Sequence, residues 1–125
     1  MTFTKQTGGN AAPDAMRDAA APVLAAALDQ LWIRFLPEIR TRVDTLEAAA
    51  AACAARELSS ELRVNAHAAA HKLAGTLGTF SLAQGTELAR EFELLFAEED
   101  GVDRALGERL TVVAAELRRI VESRG

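Results

Sequence analysis

Two histidines stand four residues apart in the run His67-Ala68-Ala69-Ala70-His71, and they are the only two in the 125-residue chain. On a helix that spacing puts both imidazoles on one face, an arrangement able to hold zinc. The glutamate of the zinc-protease motif is replaced by alanine, and no third ligand is specified. No metal site and no cofactor are therefore expected. What remains is imidazole as a nucleophile. Its ordinary pKa of about 6.5 leaves the neutral form abundant at pH 7, with one ring nitrogen free to attack an electrophile.

The surroundings single out His71. Leu62, Ala66, Ala69, Leu73, Leu77 and Phe80 recur at helical spacing and form one apolar stripe. His71 points almost directly away from it. Its neighbours one turn away are His67, Ala68, Ala74 and Gly75, three of them small. Gly75 and Gly78 each cost about 1 kcal/mol against alanine inside a helix, so an alanine-rich chain that carries them there has a use for open ground. His71 reads as a nucleophile reached by something large. His67, Ala68, Lys72, Ala74, Gly75 and Gly78 form the face offered to a docking partner. No hydrolase constellation accompanies it. Ser59, Ser60, Thr76 and Thr79 lack a base and an orienting group. Glu87, Glu91 and Glu93 read mostly as a solvated face, and Glu98-Glu99-Asp100 as a helix end and turn.

The elements that carry this face are helical. Residues 1–12 lack periodicity and contain Gly8-Gly9-Asn10, which predicts a flexible tail, with the folded bundle over 13–125. Leu24, Leu28, Leu31 and Phe35, then Ile39, Val43, Leu46 and Ala50, predict one long N-terminal helix, kinked at Pro37. Ser59 is the expected N-cap of a helix over 60–79, with Glu61 in its first turn. Ser81 is expected to cap a third helix with Leu88, Phe92 and Leu95 on its apolar face. Asp100-Gly101 makes a turn, and Leu106, Leu110, Val113, Leu117 and Ile120 mark the last helix. Short connections make neighbours antiparallel, hence an all-α, up-down four-helix bundle.

Composition agrees with one domain of this kind. Half the residues are hydrophobic, and tyrosine is absent. The net charge of −4, with no basic stripe, argues against nucleic-acid binding. No apolar run approaches the roughly 20 residues of a membrane span. The single cysteine, Cys53, allows no intramolecular disulfide and reads as a small core residue. A cytoplasmic, monomeric protein is the expectation.

Ala70-His71-Lys72-Leu73-Ala74-Gly75-Thr76, followed by Phe80 and Leu82 and then Leu88, Phe92 and Glu93, resembles the histidine-containing phosphotransfer (HPt) domain of bacterial phosphorelays. The resemblance covers roughly residues 35 to 98. It implies a bundle in which His71 is the phosphoacceptor, exchanging phosphate with aspartate of response-regulator receiver domains. It also implies Gly75 as the residue that opens its flank, and a histidine kinase as a further partner. Such a domain is a phosphocarrier without catalysis of its own. The alternative is a receiver-docking or helical interaction module that takes no phosphate. Three positions depart from the family pattern. The family's lysine three residues after the histidine is Ala74, a usual glycine is Ser81, and a usual leucine is Gly85. Glu87 and Glu91 on the facing helix are candidates to orient His71 or His67.

Overall fold

The computed structural model describes the backbone of residues 4–97 and 104–124, and side chains over 20–97 and 105–124. Four helices follow one another: α1 (Thr4–Ala54), α2 (Ser60–Thr79), α3 (Ala83–Ala97) and α4 (Arg104–Arg124). There is no strand among the described residues, and the fold is the all-α bundle expected. No helix among them is long and apolar enough to cross a membrane. The tail expected over residues 1–12 lies outside the described side chains, although α1 is bounded from Thr4. The expected turn at Asp100-Gly101 also lies outside the described residues.

The chain divides into two compact units, Met1–Arg34 and Phe35–Gly125. In the first, Trp32 is buried while Val23, Leu24, Leu31 and Ile33 are exposed. The stripe expected through Leu24 and Leu31 is therefore not the buried one. Counting back two turns from Ile39 reaches Trp32, not Leu31 or Phe35, and Phe35 is exposed as well. Helix α1 continues through Pro37 without interruption, as one helix rather than two. The Thr41 hydroxyl donates to the Pro37 carbonyl at 3.0 Å.

The second unit is the bundle. Its core takes Ile39, Val43, Leu46 and Cys53 from α1, and Ala66, Ala70, Leu73 and Leu77 from α2. From α3 come Ala89, Phe92 and Phe96, and from α4 Leu110, Val113, Leu117 and Val121. Leu62, Leu88, Leu95 and Ile120, expected in the stripes, are only partly buried. On α3 the buried face has turned to Gly85, Ala89, Phe92 and Phe96, because that helix packs against both α2 and α4. Gly85 is small for a reason. A Cβ there would lie 3.0 Å from Leu77 Cδ1 and 3.5 Å from Ile120 Cγ2, so these two side chains leave little room for a larger residue.

Neighbouring helices run antiparallel. Arg63 donates to the Phe96 carbonyl at 3.0 Å at one end of the α2–α3 pair, and Thr86 donates to the Ala74 carbonyl at 3.3 Å toward the other. On α3 and α4, Arg109 bonds Glu91 at 2.7 Å, while Ile120 sits beside Gly85. Between α1 and α4, Arg40 forms a two-pronged pair with Glu122 at 2.9 and 2.7 Å. Arg118 reaches Glu47 at 3.0 and 2.8 Å and also pairs with Asp44. These carboxylates hold the Arg118 guanidinium above its already high range, the hydrogen bond to Glu47 contributing most. At the far end of that pair a Cβ on Gly107 would run into the Ala54 backbone, so only glycine permits this crossing.

Helix ends are set locally. The Ser59 hydroxyl accepts from the Leu62 amide at 3.1 Å, the N-cap expected. Ser81 does not cap α3 as expected. It closes α2: its φ is 60°, and the Leu82 amide reaches back to the Leu77 carbonyl at 2.9 Å. That is the left-handed closure usually given to glycine.

Candidate functional site

His71 stands on α2 with its side chain 74% exposed. Its Nδ1 lies 2.9 Å from Oε2 of Glu93 on α3. An ionised carboxylate only accepts. Nδ1 therefore carries the proton and donates it, and Nε2 keeps its lone pair on the open side of the ring. The same Oε2 lies 3.8 Å from His67 Nε2, so one carboxylate faces both imidazoles.

The hairpin explains this geometry. The Ser81 closure fixes how α3 returns along α2, and Gly78 comes to face Thr86, whose Oγ1 would be 3.5 Å from a Cβ on the glycine. Two helical turns outward from that pair along each helix lie His71 and Glu93. One turn outward lie Ala74 and Arg90. Neither Glu87 nor Glu91 orients the histidines. Glu91 is turned toward α4 and binds Arg109, and Glu87 is exposed nearly two turns before Glu93 on α3. The orienting carboxylate is Glu93.

A hollow of about 330 Å³ is lined by His71, Ala74, Gly75, Arg90, Glu93 and Leu94. Gly75 opens it, since a Cβ built there meets no atom within 4 Å. Gly78 is different, because Thr86 already stands at ordinary contact distance from it. Ala74 forms a wall rather than an exposed docking contact, at 5% exposure. Ala68 and Lys72 are exposed but line grooves toward α1, with Thr41 and Arg42, and do not border the His71 hollow. The structure thus brings His71, Ala74 and Gly75 together around one hollow, with His67 beside the same carboxylate. Arg90 and Leu94 line the hollow as well, and neither they nor the place of Glu93 was expected from the sequence. The signal that would have found them is the register counted outward from the Gly78–Thr86 pair. No group of three or more metal-ligating side chains occurs among the described residues.

The family model of the Hpt domain matches residues 30–123, and the chain belongs to that family. No curated protein and no solved structure matches it.

Proposed function

We propose that this domain is a cytoplasmic phosphocarrier in which His71 Nε2 takes a phosphoryl group from an aspartyl phosphate of a receiver domain and passes it on. The observation that carries this reading is the Nδ1 bond to Glu93, which leaves Nε2 as the free nucleophile above ground cleared by Gly75. The lone pair of Nε2 attacks phosphorus. The N–P bond forms as the P–O bond to the aspartyl carboxylate breaks, and the electron pair leaves with that carboxylate. The Nδ1 proton stays in place, so the ring becomes cationic. Glu93 then stabilises that charge through a charge-assisted hydrogen bond. Return transfer runs the same steps backward. The domain contributes a positioned nucleophile on a rigid hairpin, while activation of the acyl phosphate belongs to the receiver, as the family resemblance implies.

The test is incubation of the protein, His71→Gln and His67→Gln with a phosphorylated receiver, scored as acid-labile, base-stable label. Label is expected in the unaltered chain and in His67→Gln and absent from His71→Gln. Undiminished label in His71→Gln overturns the assignment. Receiver binding without label in any of the three makes the domain a docking module instead.

A further inference from the structure

A phosphoryl group on Nε2 brings close to two negative charges beside the Glu93 carboxylate. The hollow must offset that repulsion. On α2 the position three residues after His71 is Ala74, which has no charge to offer. Lys72 borders the α1-side grooves, not the hollow. His67 shares Glu93, and Glu91 is engaged with Arg109. Among the described residues the one cation lining the hollow is Arg90. In the hairpin register Arg90 stands across from Ala74, one turn from both Glu93 and Leu94. It is exposed and makes no ion pair among the described residues. It also borders a second hollow with Glu87 and Glu91, on the other side of the same α3 ridge.

We infer that Arg90 is the phosphate-binding residue of this domain: its guanidinium holds the phosphoryl oxygens on His71 from across the α2–α3 hairpin, in place of a cation on α2. The inference rests on His71 as the phosphoacceptor. Arg90 makes and breaks no covalent bond; it donates N–H groups to oxygens whose charge is present throughout transfer. A guanidinium suits this task because its planar fork matches two phosphoryl oxygens at once.

The test uses chemical phosphorylation with potassium phosphoramidate in a His67→Gln background, which leaves one imidazole. The ³¹P resonance of the phosphohistidine is followed from acid to alkaline pH in that protein and with Arg90→Gln, Arg90→Lys or Lys72→Gln added. Arg90→Gln is expected to raise the midpoint of phosphoryl titration by about one pH unit, because an opposite charge close by favours the dianion. Arg90→Lys is expected to retain most of the effect, and Lys72→Gln to leave the midpoint in place. An unmoved midpoint in Arg90→Gln, or an equal shift in Lys72→Gln, overturns the inference. The phosphoacceptor assignment stands or falls separately, on the receiver labelling of His71→Gln.

Discussion

Glu93 Oε2 sits 2.9 Å from His71 Nδ1, and this one bond decides which ring nitrogen faces outward. Removing the carboxylate frees the proton to move between the two nitrogens. Glu93→Ala is therefore expected to slow phosphate acceptance about tenfold, the worth of one charge-assisted hydrogen bond. Nitrogen NMR of the imidazole should show protonation at Nε2 rising in that variant. Glu93→Gln, whose amide oxygen still accepts but carries no charge, should keep the tautomer and fall between the other two in rate. Equal rates in all three proteins would show that the bond does not set the tautomer.

Gly75 and Gly107 test opposite uses of glycine. Gly75→Leu places a side chain in open space, so folding stability should hold or rise by about 1 kcal/mol, while phosphotransfer from a receiver drops sharply. Gly107→Ala drives a methyl into the Ala54 backbone and should destabilise by roughly 1–3 kcal/mol. Chemical denaturation of both variants separates the two roles. Loss of folding in Gly75→Leu would make Gly75 a packing residue.

Ser81 pays for a left-handed backbone at φ 60°. Ser81→Gly should stabilise the domain by about 1 kcal/mol, near the lower end of the penalty for that region. The gain should appear as a higher denaturation midpoint with an unchanged slope. A loss would mean that the serine hydroxyl matters more than the backbone strain.

Arg40 lowers the Glu122 carboxyl below its ordinary value of 4.5, chiefly through its hydrogen bond. A carboxyl with a lowered pKa in the fold lends stability above the unfolded value and loses it as pH falls through the folded one. Stability should thus decline on acidification below about 4.5, and Glu122→Gln should flatten that part of the profile. The groups are exposed, so added salt should shrink the effect. An identical acid limb in both proteins would remove Glu122 from the account.

The helices of the bundle were legible because their apolar positions repeat at helical spacing, and His71 was legible because it opposes the Leu73–Leu77 stripe. The phase of α3 was not. Leu88 and Leu95 look as apolar as Phe92 and Phe96, and only packing against two neighbours turns Gly85 and Ala89 inward. The stripe of α1 misled in the same way, since exposed Leu24 and Leu31 are indistinguishable by type from core leucines. Glu93 looked like one of three solvated glutamates. What separates it from Glu87 and Glu91 is the return path after Ser81, and a positive φ on a serine leaves no mark in composition.

Every group assigned to the phosphoryl chemistry lies between His71 and Arg90 or Glu93, within one hairpin closed by Ser81. The reactive geometry is thus a product of short-range chain closure, of the kind that forms early and cheaply in folding. Helices α1 and α4 brace it without contributing an atom to it. The hairpin alone carries the proposed chemistry, and the bracing helices serve it through the fit of their ridges.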